Sequence, residues 1–447
     1  MNRILIKLLF ALLMVSSTFT GKSQAQVNKP RVIIMTDGEV DDQSSMVRFL
    51  LYTCDINLQA IIQTNSVYQK SGHSKEGWLQ KELDAYGQVY PNLIKQNPGY
   101  PTADELKSKS FVGDEDIEHL INVTTKEKRN AQKPGGKIEY MPDAWPNTPG
   151  SDKIVQVLLD KDPSPVYIEL WGGGNTASKA FYKLKTEYPD QYDRAISKVV
   201  MYNIWYQDNA GNYIETNHPK VTMIYCNSFN ATWAYRIQTS SADFIKNGVK
   251  NNHGPLGALY PQTYISEGDS PSFFYTMNNG LRNYENPTYG GWAGRFVKVD
   301  GLPNVYTDAV DDGDINKSIG RWVNQVNNDF EARINWCIAE KYADANHPPT
   351  IKLTEGDRTI KSGQKVMLNA KGTADPDGNK ITYKWWQYKE AGTYDGLVTI
   401  DGAANSKTSF VAPKVGSPKT IHIILEVTDN GTPVLVSYKR IIVTVQP

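Results

Sequence analysis

Three aspartates, Asp37, Asp41 and Asp42, stand within six positions near the start of the chain. Carboxylates this close together repel one another unless a cation or a set of hydrogen-bond donors offsets their charge. Calcium is a suitable cation because it takes about six to eight oxygen ligands. An aspartate-rich turn in which Asp41 or Asp42 caps a helix is the alternative. The spacing therefore indicates either a divalent-metal site or a capped turn.

The elements around these aspartates indicate where they lie. A β-rich apolar run at 31–35 precedes them, helical spacing at 42–52 follows them, and a second apolar run occupies 58–62. The same pattern recurs later as a strand at 166–171, a helix at 176–188, and strands at 198–202 and 221–225. We expect a mostly parallel α/β sheet with helices on both faces, and such sheets bind ligands at the carboxyl ends of their strands.

The pattern changes towards the carboxyl terminus. Apolar residues at three-to-four spacing predict one long helix over 319–338, and the prolines of the segment 345–349 end it. Short strands with turn signals follow and predict a β-sandwich of about 100 residues. The predicted organisation is a signal peptide at 1–25, an α/β domain at 26–346 and an Ig-like sandwich at 347–447.

The amino terminus is typical of an exported protein. Arg3 and Lys7 precede an apolar run at 8–15, and small residues near Ala25 offer a cleavage site, so we expect a secreted or periplasmic protein. No later stretch reaches the roughly 20 apolar residues that cross a bilayer. With 48 basic and 48 acidic residues, nucleic acid is not an expected partner. The three cysteines lack C-x-x-C spacing and are expected to be buried thiols.

The segment 35–42 resembles the amino-terminal signature of nucleoside hydrolases, D-x-D-P-G-x-D-D. Asp37, Asp41 and Asp42 match its second, third and fourth aspartates. The resemblance implies that these residues bind calcium and that Asp37 is the base that activates a metal-bound water. The positions that depart from the signature are Met35, Gly38 and Glu39.

Further segments follow in the order of that family. Asn65 stands where the family places a substrate-binding asparagine, and the segment 171–176 resembles the loop whose carbonyl ligates calcium, here Gly174, with Asn175 contacting sugar hydroxyls. The segment 267–271 resembles a histidine-aspartate-proline segment, so Asp269 is implied as the last calcium carboxylate. Gly268 stands where many members carry a histidine that assists the leaving group.

Several other residues have two interpretations each. Glu215 and Asn217 resemble the E-x-N pair that binds ribose hydroxyls, or they lie in a surface turn. His218 and His253 could donate a proton to the leaving group, or they are structural. The acidic segment 308–314 is predicted to be a solvated loop because it lacks EF-hand spacing.

Trp385 and Trp386 are adjacent on a predicted strand, so their side chains point to opposite faces. We expect one of them in the core of the sandwich. The other is exposed, where it could contact a sugar, or it packs against the first domain.

Nearly the whole chain after the signal peptide resembles one subfamily, the secreted bacterial proteins described as cellulose-binding. These combine a nucleoside-hydrolase-like α/β domain with a carboxyl-terminal sandwich, and the similar blocks lie at 267–273, 290–296, 345–349 and 429–433. The resemblance implies an exported, calcium-dependent hydrolase that cleaves an N- or O-glycosidic bond of a sugar-containing substrate. The alternative is a carbohydrate-binding protein that keeps the hydrolase fold without turnover.

Overall fold

The computed structural model of the chain describes residues 29–120, 133–136, 142–235 and 238–447. The predicted signal peptide at 1–25 lies outside these residues. Over the described ranges, none of the helices is both long enough and apolar enough to cross a membrane.

One mixed sheet organises the first part of the chain. Within the described ranges it has eight strands in the order β3-β2-β1-β4-β5-β6-β8-β7, and only β7 runs antiparallel to its neighbour. The strands are β1 (Arg31–Thr36), β2 (Asn57–Gln63), β3 (Ser110–Val112), β4 (Val166–Leu170), β5 (Val199–Ile204), β6 (Thr222–Cys226), β7 (Phe296–Val299) and β8 (Leu302–Asp308). The predicted mostly parallel α/β fold is therefore confirmed.

Helices cover both faces of this sheet. Val32 and Ile34 of β1 belong to one apolar cluster and Ile33 and Met35 to another, as expected for a strand buried on both sides. The helices are α1 (Val40–Leu50), α2 (Trp78–Gln96), α3 (Ala103–Ser108), α4 (Pro149–Leu159), α5 (Asn175–Glu187), α6 (Pro189–Ile196), α7 (Ala210–Asn217), α8 (Phe229–Thr232), α9 (Gln238–Ile245), α10 (Gly254–Ala258), α11 (Ser270–Thr276), α12 (Lys317–Gly320) and α13 (Val323–Trp336).

The long helix predicted over 319–338 is present over 323–336, but it is interrupted at 321–322 and ends before 338. The helix is divided between α12 and α13, and the break turns Trp322 towards the sandwich, where its ring lies 5.6 Å from the ring of Tyr438. Ile338, which was assigned to the apolar face, is 47% exposed. Packing against the second domain has outweighed the helical periodicity of this segment.

The carboxyl-terminal strands form a β-sandwich, as predicted. Across residues 358–446 a four-stranded sheet, β11-β13-β14-β9, faces a two-stranded sheet, β10-β12. The strands are β9 (Arg358–Lys361), β10 (Lys365–Asn369), β11 (Thr382–Gln387), β12 (Lys407–Val411), β13 (Lys419–Thr428) and β14 (Val436–Gln446). Trp385 lies in the sandwich core, whereas Trp386 packs on Trp322 of the first domain. The exact boundary between the domains, at 346/347, stays a prediction.

Buried polar contacts join the sandwich to the first domain. Arg440 is 1% exposed and donates to the carbonyls of Leu281 and Gly290 at 2.6 and 2.7 Å. Tyr388 donates its hydroxyl to Asp311, which also accepts from Arg295. Asp311 is fully buried, so the prediction that the acidic segment 308–314 is a solvated loop was wrong at this position.

A buried ion pair connects α1 to the segment that precedes α11. Arg48 of α1 donates from Nη2 to Glu267 Oε1 at 3.0 Å, and its Nε lies 2.5 Å from Oε2. Both side chains are fully buried, and Arg48 also donates to the Val326 carbonyl of α13. Asp41 and Asp42 stand on α1 and Asp269 follows Glu267, so this ion pair fixes their relative positions.

Arg48→Met should lower the free energy of unfolding by about 3–5 kcal/mol, because it leaves the Glu267 carboxylate buried without its partner. Arg48→Met combined with Glu267→Gln should recover part of the loss. Denaturant unfolding of the full chain measures both variants, with the exposed Lys371→Met as a control that shifts the value by less than about 0.5 kcal/mol. A loss in Arg48→Met no larger than in the control would contradict the assigned role.

A buried carboxyl on β4 makes stability depend on pH. Glu169 is fully buried, and Thr276 of α11 donates to its Oε1 at 2.9 Å. Burial raises the pKa of Glu169 from about 4.5 to about 8, so the folded chain holds a proton that the unfolded chain releases between these values. The free energy of unfolding should therefore fall as the pH rises from about 4.5 to about 8.

Glu169→Gln should remove this part of the pH dependence and make the chain more stable than wild type above pH 8. Unfolding curves recorded across that range, with the exposed Glu118→Gln as the matched control, measure the difference. Parallel pH profiles for wild type and Glu169→Gln would show that Glu169 is not the protonated group.

Candidate active site

The aspartates singled out in the sequence meet at the carboxyl end of β1. Asp37 follows this strand directly, Asp41 and Asp42 lie in the first turn of α1, and Asp269 immediately precedes α11. One carboxylate oxygen from each of Asp41, Asp42 and Asp269 lies within 4.8 Å of the other two. Residues more than 200 positions apart in sequence are thus brought to one point.

Hydrogen bonds within the β1–α1 turn set the orientation of these carboxylates. Asp42 Oδ1 accepts from Thr36 Oγ1 at 2.5 Å and from the backbone N–H of Asp37 at 3.1 Å. Asp37 Oδ1 in turn accepts from the backbone N–H of Glu39 at 3.1 Å. Each side chain therefore keeps its other oxygen for a different partner.

Gly38 allows the turn to close. Its φ is +77°, and a Cβ atom there would lie 2.6 Å from Trp78 Nε1 and 2.8 Å from His73 Cβ. The proline of the nucleoside hydrolase signature could not adopt this backbone, since its ring fixes φ near about −65°. His73 Nδ1 lies 2.9 Å from the Asp37 carbonyl oxygen, so a histidine that the sequence analysis overlooked borders the turn.

The cluster is electrostatically unfavourable without a cation. Burial raises the pKa of Asp37, and burial together with Glu39 and Asp37 raises the pKa of Asp41 to about 7. Burial, Asp37, Asp269 and Asp41 hold the pKa of Asp42 well above its usual range. The pKa of Asp269 is also held well above its usual range, first by burial and then by Asp41 and Asp37. The low-dielectric surroundings thus oppose several negative charges at once.

The donor set fits a hard divalent cation. Asp37 Oδ2 and Asp269 Oδ2 are buried and meet no hydrogen-bond partner among the residues that the structure covers. Carboxylate oxygens are the ligands that calcium prefers. The alternative of a helix cap was wrong: Glu39 occupies the N-cap of α1 without a side-chain capping bond, and Asp42 binds the preceding turn instead.

A cavity of about 190 Å³ opens onto the carboxylates. Acidic residues form one part of its wall and aromatic residues another. The lining includes Glu39, Asp41, Asp42, Asp269, Tyr68, Trp171, Trp205, Phe229 and Tyr235. The sequence analysis missed the aromatic wall because it searched for charged groups. Trp205 could have been found, since it directly follows β5 as Asp37 follows β1.

The two predicted substrate-binding asparagines form a buried pair at the same end of the sheet. Asn175 Nδ2 donates to Asn65 Oδ1 at 2.8 Å, and Asn175 Oδ1 accepts from Thr64. The Gly174 carbonyl accepts from the Ser178 N–H at 2.9 Å and so lies along α5. Its predicted role as a metal ligand, and the substrate role of the asparagines, stay predictions.

Glu215 and Asn217 are placed apart from the carboxylates. Both belong to α7, and neither lines the cavity. Glu215 accepts from the Gly135 N–H and from Tyr206, whereas Asn217 is exposed and donates to the Tyr213 carbonyl. The local resemblance to an E-x-N pair therefore does not bring these residues to the site.

His218 and His253 do not line the cavity either. His218 is fully buried, its Nδ1 lies 2.6 Å from the hydroxyl of Tyr192, and burial lowers its pKa to about 3. His253 precedes α10. The structural interpretation of both histidines is the one that their surroundings favour.

Comparisons with known proteins agree with the fold of both domains. Residues 31–296 match the family model described as "Cellulose-binding Sde182, nucleoside hydrolase-like domain", and residues 365–445 match "Cellulose-binding protein Sde0182, C-terminal domain". A solved nucleoside hydrolase-related hypothetical protein from Saccharophagus degradans, described as associated with carbohydrate metabolism, is 32% identical. That likeness covers 94% of this chain and 100% of the other, with a TM-score of 0.80. No curated protein matches the chain.

Other solved structures are more distant. The effector protein XopQ complexed with adenosine diphosphate ribose is 10% identical over 70% of this chain and 94% of its own, with a TM-score of 0.35. The PKD domain from the KIAA 1837 protein is 21% identical over 22% of this chain and 86% of its own, with a TM-score of 0.17. Neither likeness is strong enough to carry an argument about the site.

Gly268 packs against the carboxylate cluster. A Cβ atom at this position would lie 2.7 Å from Asp41 Oδ2 and 3.3 Å from Phe229 Cε2. A histidine, as found here in many nucleoside hydrolases, could not stand at this position without displacing Asp41.

Gly268→Ala should therefore destabilise the chain by about 1–3 kcal/mol through overpacking. The matched control is Gly356→Ala, because a Cβ at residue 356 meets nothing within 4 Å. Thermal and denaturant unfolding compare the two variants. Equal stability of Gly268→Ala and Gly356→Ala would contradict the close approach at the cluster.

Proposed function

Because the chain belongs to the family of Sde182-like cellulose-binding proteins with a nucleoside-hydrolase-like domain, we propose that it is an exported, calcium-dependent hydrolase of a glycosyl bond. The observation that carries this proposal is the convergence of Asp41, Asp42 and Asp269 at one aromatic-lined cavity, with Asp37 close enough to raise the pKa of Asp42. The substrate is a sugar-containing molecule of the cellulose-like class. Export rests on the signal-peptide pattern at 1–25.

Asp41, Asp42 and Asp269 would hold the cation, because one carboxylate oxygen from each lies within 4.8 Å of the other two, and Asp37 would complete the set of carboxylates. The buried, unpartnered oxygens of Asp37 and Asp269 support this assignment, since only a cation or a proton can offset their charge there. A bound divalent cation would keep these carboxylates ionised and lower the pKa of a nearby water.

Asp37 is placed to act as the general base. The N–H of Glu39 would hold the Asp37 carboxylate in place while it takes the proton of the water that attacks the anomeric carbon. The glycosidic bond would break in this step, and the leaving group would take a proton from solvent. General-base assistance of this kind contributes a factor of about 10²–10⁴. The remaining carboxylates face the positive charge that develops on the sugar ring in an oxocarbenium-like transition state.

The second candidate function is carbohydrate binding without turnover. The absence of a proton donor at Gly268 favours it, because a Cβ there already crowds Asp41. Release of reducing sugar from cello-oligosaccharides and from nucleosides, measured with calcium and with chelator, distinguishes the two functions. Retention on cellulose without any sugar release would support the binding protein.

Asp37→Asn should lower turnover by at least about a hundredfold while the folded protein still binds calcium weakly. An amide oxygen can coordinate the ion but cannot accept the proton of the water. Asp42→Ala should weaken calcium binding and turnover together, because it removes a negatively charged oxygen ligand. Calcium titration and initial rates measure the two effects separately.

The matched control is Asp193→Asn, whose side chain is 73% exposed and does not line the cavity. It should retain the rate and the calcium affinity of the wild type. Full activity of Asp37→Asn on any hydrolysed glycoside would exclude Asp37 as the base.

A further inference from the structure

Trp205 has an unusual backbone conformation at the edge of the cavity. It directly follows β5 and has a φ of +58°, in the left-handed region that bulky side chains rarely adopt. Such strain persists only where the surrounding structure enforces it, and it concentrates at binding sites. The strained backbone of Trp205 therefore indicates a functional role for its indole.

The indole is held from two sides. Trp205 Nε1 donates to Asn227 Oδ1 at 2.6 Å, and the ring of Phe229 packs edge-on with its centroid 4.9 Å away. These contacts restrain the indole where it lines the cavity that Asp41 and Asp269 also line.

A buried carboxylate on β8, the strand that pairs with β6, anchors the loop that carries Asn227. Asp308, at the end of β8, accepts from the backbone N–H groups of Asn227 and Ser228 at 2.7 and 3.1 Å. It also accepts from Ser228 Oγ at 2.7 Å. Asp308 is 6% exposed, so it lies within the fold and not in a solvated loop as the sequence suggested. The loop that carries Asn227 is thereby fixed.

The cavity has the size and chemistry for one sugar ring. Its volume of about 190 Å³ is below the roughly 300–1,000 Å³ of sites that enclose drug-sized ligands. A pyranose chair presents C–H groups on a face that suits an indole, whereas its hydroxyls suit carboxylates. An aromatic wall next to an acidic wall is complementary to such a ring.

We propose that Trp205 is the stacking platform for a pyranose ring of the substrate and that Asp308, acting through Asn227, is the positioning residue that holds this platform. The proposal rests on the proposed function, because it takes this cavity as the sugar site. It narrows the preferred substrate class to pyranosides and implies weaker binding of furanosyl nucleosides.

Titration calorimetry of the full, calcium-loaded chain with cellobiose and with uridine tests the proposal. Wild type should bind cellobiose more tightly than uridine. Trp205→Ala should weaken cellobiose binding about tenfold, which corresponds to about 1.4 kcal/mol, and Trp205→Phe should restore part of the loss. The control is Trp336→Ala, since Trp336 stacks on His347 away from the cavity and should leave the affinity unchanged.

Asp308 is tested by a spectroscopic readout. Cellobiose should change the tryptophan fluorescence of the wild type, and Trp205→Phe should remove that change. Asp308→Ala should reduce it together with the affinity, Asp308→Asn should restore part of both, and calcium affinity should stay that of the wild type in all these variants. If Trp205→Ala does not fold, the comparison of Trp205→Phe with the wild type decides the role of the platform.

The remaining outcomes contradict particular parts of the proposal. If wild type binds cellobiose and Trp205→Ala binds it as tightly, the platform is excluded and the proposed function stands. Tighter binding of uridine than of cellobiose excludes the preference for pyranosides. If Trp336→Ala loses as much affinity as Trp205→Ala, the effect is not local and the platform fails. Binding of neither probe overturns the platform and the sugar-acting function together.

Discussion

The candidate site depends on the buried ion pair between Arg48 and Glu267. Four carboxylates come from two distant segments, and their mutual repulsion acts to drive those segments apart. Arg48 opposes this motion, because it ties α1 to the residues just before Asp269 and reaches α13 as well. A buried ion pair contributes modest net stability but strongly restricts geometry when each partner is fully desolvated. One buried ion pair thus holds together a cluster of carboxylates that repel one another.

The fold and the carboxylate cluster could be predicted from the sequence for a physical reason. Strands and helices of an α/β sheet have strong periodicity, and parallel strands bring their carboxyl ends to one edge, so Asp37 and the aspartates of α1 had to lie there. The aromatic wall could not be predicted, because the role of Trp205 depends on a backbone conformation that only tertiary contacts enforce. The break before α13 could not be predicted either, because the contact of Trp322 with the sandwich overrides a helical pattern. Glu215 and Asn217 show the converse, a short local likeness that the fold does not bring to the cavity.

Buried acids serve three different purposes in this chain. In the cluster, one oxygen each of Asp37 and Asp269 meets no hydrogen-bond donor within the described part of the chain and so is available to a cation. Asp308 instead accepts three hydrogen bonds and shapes the loop beside the cavity. Asp311, three residues later, accepts from an arginine of its own domain and from Tyr388 of the sandwich. The identity of the donors around each carboxylate, and not its place in an acidic stretch of sequence, separates these purposes.

The docking of the sandwich on the first domain has a consequence for how the molecule would bind an insoluble surface. Arg440 inserts its guanidinium into the first domain, and Tyr388 reaches Asp311 from the same side. Contacts of this kind oppose rotation between the two halves. If the sandwich bound an extended surface, the orientation of the cavity relative to that surface would be set by the docking of the two domains. Access of the end of a substrate chain to the cavity would then depend on the orientation of the bound molecule and not on motion about a flexible linker.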